Sequence, residues 1–120
     1  MSDPLDPQSL LNYRRGEILH FAVSKCLGSE IDITKLSFSS LEDGEMGSFV
    51  AKENHKILFN FENKNMFCRA KYLDDDGIDV YIDFYNIGDK YFEIDFWKVD
   101  FSNLIIFPNS NMIHDIECVK

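Results

Sequence analysis

Cations are scarce in this 120-residue chain. Twelve lysines and arginines stand against 21 aspartates and glutamates, for a net charge of −9 and a pI near 4.6. Gripping nucleic acid or an anionic membrane takes a basic footprint, so neither is expected as a partner. No apolar run approaches the roughly 18 residues that span a bilayer, and the opening MSDPLDPQ lacks the basic-then-apolar order of a secretory signal. A cytoplasmic location is the expectation. Cysteine is limited to Cys26, Cys68 and Cys118, an odd number with no CxxC spacing. That argues against a zinc site and against a disulfide framework, and Cys26 and Cys68 are expected as small buried apolar residues.

Catalytic patterns are missing as well. There is no GxSxG elbow, and Gly44-Glu45-Met46-Gly47-Ser48 lacks the Lys-Ser/Thr ending of a phosphate-binding loop. His20 falls in a helix, His55 in a polar loop and His114 in the tail. His114-Asp115 near Cys118 is the only Cys/His/Asp grouping and reads as a polar terminus. No enzyme, no catalytic residue, no metal ligand and no cofactor are expected.

What is present suits one domain over residues 1–120. Hydrophobic residues make up 45%, with 11 phenylalanines, enough for one aromatic-rich core. A helix is predicted from about Pro7 to Leu27, with Asp6 as N-cap, Pro7 in the first turn and Gly28 as the left-handed stop. Leu11, Ile18, Ala22 and Cys26, widened by Leu19 and Val23, form its apolar stripe. Gly16 weakens the middle, and Arg14-Arg15 reads as solvent face. The region from about 31 to 108 is β-rich. Predicted strands are 36–41 and 47–51 around Asp43-Gly44, then Lys56–Phe61, Met66–Leu73, Ile78–Tyr85, Tyr91–Val99 and Leu104–Phe107, with turns at 74–77 and 86–89. The tail, 109–120, reads as an edge strand or a short helix. The expected fold is α+β: an N-terminal helix packed on an antiparallel meander of five or six strands.

The charge is concentrated between Asp74 and Asp100, where nine acids and two lysines supply seven of the nine net negative charges. Side chains alternate faces along a strand. Ile78, Val80, Ile82, Phe84, Phe92, Ile94 and Phe96 share one face. Asp79, Tyr81, Asp83, Tyr85, Tyr91, Glu93, Asp95 and Trp97 share the other, which becomes the candidate partner-binding surface. A register with Tyr85 opposite Tyr91 sets Asp83 against Glu93, a like-charge pair that is destabilising on a sheet unless a partner supplies a cation. Asp74-Asp75-Asp76-Gly77 resembles a calcium loop in composition only. Aligning Gly77 to loop position 6 places Tyr72 at position 1 and Asp83, not a bidentate Glu, at position 12.

Two stretches carry a family resemblance. Leu41-Glu42-Asp43-Gly44-Glu45-Met46-Gly47-Ser48 is similar to an (M/L)xDGGMGS turn, with Glu45 in place of the second Gly. Phe92 to Ser102 is similar to an ELDIWKVDFS strand. Together they resemble a small bacterial domain family of unknown function, over about Leu36 to Pro108, whose short acidic members resemble immunity proteins of toxin systems. The resemblance implies a cytosolic protein that neutralises a basic toxin domain by contact; the open sheet, with an edge near Leu104 to Phe107 and acidic repulsion opposing close approach, leaves it a monomer or a weak homodimer. Acids would steer the encounter, and Tyr and Trp would anchor it. The different-class alternatives are a metal-dependent or carboxylate enzyme using Asp74–Asp76, Asp79 and Asp83, and a regulatory domain binding another basic protein.

Overall fold

A computed structural model describes residues 7–41, 47–53, 64–88 and 90–119. Helix α1 spans Pro7–Leu27. The strands are β1 Leu36–Ser40, β2 Phe49–Glu53, β3 Asn65–Leu73, β4 Asp79–Gly88, β5 Tyr91–Lys98 and β6 His114–Cys118, with 3₁₀ turns at Ile33–Lys35 and Ser110–Met112. They form one antiparallel sheet in the order β1-β2-β5-β4-β3-β6, and the fold is α+β. β3, β4 and β5 run as a meander. The β1–β2 hairpin joins it through β2 on β5, and the tail supplies both a short 3₁₀ turn and the last strand. Asp6, the turn 43–46 and the proposed strand Lys56–Phe61 lie outside the described residues.

One face of the sheet takes α1 and becomes the core. Ile18, Leu19, Ala22 and Val23 of the helix pack with Phe49, Ala51, Cys68, Ala70, Tyr72, Val80, Ile82, Phe84, Phe92, Ile94 and Phe96. Phenylalanine contacts run through it, from Phe38–Phe49 at one side to Phe67–Phe84 and Phe67–Phe92 at the other. The helix ends at Gly28, whose φ of 63° is the left-handed stop. At Gly16 it continues without a break. A Cβ there would stand 2.3 Å from Ile33 Cγ2, so the glycine admits the 3₁₀ turn against the helix.

Several expectations are corrected. Arg15 is buried because it sits four residues after Leu11 and four before Leu19, on the apolar stripe. Its guanidinium donates to Ser40 Oγ at 2.7 Å and lies over the Phe49 ring at 5.2 Å. Leu104–Phe107 forms no strand. Leu104 and Phe107 pack on the core, Phe107 stacking on Phe96 at 5.2 Å, and the backbone of 105–106 is held by a side chain of the 74–77 turn. The strand β4 also runs on to Gly88, where a turn from Asn86 was expected. Finally, Cys26 and Cys118 form a disulfide, joining the end of α1 to β6. Residues 92 apart in sequence carry no spacing signal of this pairing. Cys68 remains a buried free thiol; burial, with a smaller push from Asp83, raises its pKa to about 11, which keeps it unreactive.

Candidate functional site

Among the described residues, the other face of the sheet carries no helix. It presents the residues picked out by strand parity, but in a register displaced by two. Asp83 faces Asp95, Tyr81 faces Trp97 and Tyr85 faces Glu93. The cause lies at the hairpin end: β4 extends to Gly88, which pairs with Tyr91 after a bulge between Asn86 and Gly88. A two-residue displacement preserves the faces and changes every partner.

The like-charge pair is therefore Asp83–Asp95, and its cations come from β3 and the residue before it. Arg69 grips Asp83 with a two-point contact, Nε to Oδ1 at 2.6 Å and a terminal nitrogen to Oδ2 at 3.1 Å. Trp97 Nε1 donates to the same carboxylate at 3.2 Å. Lys64 bridges Glu93 and Asp95 and lies 4.1 Å over the Tyr85 ring. Lys71 reaches Asp79 at 4.0 Å and Asp115 at 3.3 Å. Tyr81 and Trp97 stack at 4.5 Å, which their cross-strand position allows.

The eight candidate residues separate accordingly. Asp83, 5% exposed and held within the lattice, and Tyr91, 7% exposed, are buried and present little to a partner. Asp79, Tyr81, Tyr85, Glu93, Asp95 and Trp97 are half-buried. The result is a mixed lattice of acids, cations and rings rather than an acidic plate.

Asp95 keeps the most unusual protonation. Burial and the neighbouring Glu93 carboxylate push it up to about 6, with Lys64 pulling the other way. The folded state thus holds a proton that the unfolded chain, near its ordinary pKa, has released. Stability from this group falls as pH rises from about 4 to about 6. Asp95→Asn is expected to remove that fall and to stabilise the protein at pH 7. After allowance for solvent screening, the gain is on the order of 1 kcal/mol, read as the difference in melting temperature between variant and parent at pH 7 and pH 4.5.

The turn at 74–77 is where it was expected, but two of its acids, Asp74 and Asp76, hold an internal cation. The Lys98 side chain is fully buried, with its ammonium 2.9 Å from Asp74 and 2.6 Å from Asp76 and donating to the Asn103 carbonyl at 3.2 Å. Asp74 also accepts from the backbone N–H groups of Asp75, Ile105 and Ile106 at 2.8–2.9 Å. Burial works to raise its pKa, but the donors from Ile105, Lys98, Asp75 and Ile106 outweigh it and hold Asp74 below the usual carboxylate range. Desolvation likewise draws Lys98 down, while Asp76 and Asp74 more than restore it. Tyr72 completes the cluster by donating to the Ile106 carbonyl at 2.7 Å. A signal was available: Lys98 continues the apolar parity of Phe92, Ile94 and Phe96, so its ammonium must enter the core side and find carboxylates there.

The two recognised stretches meet in space through this architecture. Ser48, just before β2, accepts from the Phe96 N–H at 2.8 Å, and a Cβ on Gly47 would reach Leu104 Cδ2 at 3.0 Å. In the tail, His114 Nδ1 lies 2.9 Å from Asp115, while Cys118 is committed to its disulfide. Among the described residues no group of three or more His, Cys, Asp or Glu side chains is placed to hold a metal ion, and no helix is long and apolar enough to cross a membrane. Residues 16–108 match a domain family described as a domain of unknown function (DUF6984). No curated protein and no solved structure matches the chain.

Proposed function

The chain belongs to that family of unknown function, DUF6984, and from this premise we propose that it is a non-catalytic binding protein of the immunity type, which meets a basic toxin domain across the open face of its sheet. The observation that carries the reading is the lattice itself, which no helix among the described residues covers. Tyr81, Tyr85 and Trp97 are large, half-exposed and rigidly held among charges. Rings fixed in place lose little freedom on binding, and such residues dominate the energetics of protein interfaces. The internal cations temper the electrostatic part. With Arg69 spent on Asp83, Lys64 on Glu93 and Asp95, and Lys71 on Asp79 and Asp115, steering falls to Asp75, Asp100 and the net charge of −9. The bacterial, cytoplasmic setting belongs to the same proposal.

Co-expression with a toxin domain encoded beside its gene tests the reading. Rescue of growth is expected, and Tyr81→Ala with Trp97→Ala should abolish it while circular dichroism shows the fold retained. Asp79→Lys with Asp95→Lys should slow association by about 10-fold at low salt. Asp83 is unsuitable for reversal, because its loss would strand Arg69 and test folding instead. Rescue that survives all four substitutions would refute the sheet face as the contact.

A further inference from the structure

The run Trp97 to Ser102 is almost wholly explained by the fold. Trp97 stacks on Tyr81 and binds Asp83, Lys98 fills the buried ion cluster, and Asp100 accepts from the N–H and hydroxyl of Ser102 at 3.0 and 2.6 Å. Phe101 is the exception. Its ring is 76% exposed, and its backbone sits at φ 59°, a left-handed conformation that is unfavourable for a bulky side chain. It thus combines backbone strain with an apolar ring in water, two costs to the folded chain.

Phe101 does not stand alone. Leu73, Val99, Ile105 and Ile106 are also exposed, and hydrogen bonds place them together. Leu73 pairs with Asp79, the Val99 N–H donates to the Asp79 carbonyl at 3.0 Å, and Ile105 and Ile106 are tied to Asp74. These residues make up an apolar tip at one end of the sheet, with Leu73, Asp79 and Val99 neighbours along the backbone and Ile105 and Ile106 held to the same end through Asp74 and the Lys98 cluster. Asp75, Asp76, Asp79 and Asp100 lie on the same turns and strand ends; of the cations there, Lys98 is buried and shared by Asp74 and Asp76, and Lys71 lies 4.0 Å from Asp79.

We propose that this tip, with Phe101 as its anchor, is a docking surface for a protein presenting an apolar patch bordered by lysine or arginine. Charge decides the occupant. A second copy of the chain would bring acid against acid, and an anionic membrane would meet the same repulsion. A basic amphipathic surface satisfies both the rings and the rim. The tip adjoins the open sheet face and shares Asp79 with it, but the observation that carries it, the exposed and strained Phe101, plays no part in that reading.

The test uses a synthetic amphipathic lysine/leucine peptide titrated into the ¹⁵N-labelled protein. Amide shifts are expected at Leu73 and through residues 99–106. Affinity should fall at least 10-fold in Phe101→Ala, and to a similar degree for a peptide with serine in place of leucine or glutamate in place of lysine. Phe101→Gly keeps the test clear of misfolding. It relieves the backbone, so its melting temperature should match or exceed the parent's, by about 4 °C where the strain is fully released, while binding is lost. Shifts confined to the sheet face, equal binding of the glutamate peptide, binding to anionic vesicles, or a parent dimer that Phe101→Ala dissolves would each overturn the assignment.

Discussion

Asp74→Ala is expected to be among the most damaging single substitutions in this protein, costing about 3–5 kcal/mol and lowering the melting temperature by roughly 10–20 °C. The carboxylate is removed from a buried ammonium, and the N–H groups of Asp75, Ile105 and Ile106 lose their acceptor at the same time. Asp74→Asn should be milder, since an amide oxygen still accepts from backbone. The same cluster dictates an acid dependence. Because the folded-state pKa of Asp74 is depressed, its contribution is complete above the ordinary carboxylate pKa near 4 and is lost as pH falls through the lower folded value. Thermal melts from pH 7 to pH 2 should show the parent losing stability below about pH 4, with Asp74→Ala much flatter over that range. A parent and variant that melt alike throughout would mean that Lys98 is neutral or solvated.

Opening the Cys26–Cys118 bridge is expected to come next in size. It closes a loop across residues 92 apart, and constraining so long a loop in the unfolded chain is worth about 2–4 kcal/mol or slightly more. Melting with and without reductant, beside a Cys118→Ser variant insensitive to reductant, measures it. Alkylation of the denatured protein followed by mass measurement should count one free thiol before reduction, Cys68, and three after. Three free thiols in protein isolated from its own cell would show that the bridge is not formed there. The measurement bears directly on location, since such bonds persist in oxidising compartments and are rare in reducing ones.

How much of this was legible depended on whether the information was local. The α1 boundaries were, because Pro7 and Gly28 mark the ends chemically. The two sheet faces were, because parity survives any even displacement of register. The partners across β4 and β5 were not: they turn on how far β4 runs before the chain reverses, and Asn86-Ile87-Gly88 looks like a turn until Phe92 is available to pair with Asn86. The neutralisation of the acidic face went unread although the expected meander already set β3 beside β4; it takes the register of that pair to bring Arg69 and Lys71 to Asp83 and Asp79. Arg15 and Lys98 were readable in principle. Both occupy apolar-phase positions; reading Arg15 as solvent-facing, and leaving Lys98 off the apolar face, ignored the period that had defined each face.

The strand order has a consequence for how the chain finds its shape. β3, β4 and β5 are successive in sequence and adjacent in space, so their pairing closes only short loops and is entropically inexpensive. Bringing β2 onto β5 means closing the chain across everything between Glu53 and Tyr91, and seating β6 on β3 requires most of the molecule to be in place. Loop-closure entropy therefore favours nucleation in the central three strands, with the β1–β2 hairpin condensing onto them and the terminal strand arriving last. The Lys98 cluster, formed between the β3–β4 turn and the end of β5, belongs to that early nucleus, so its substitutions should slow folding rather than merely hasten unfolding.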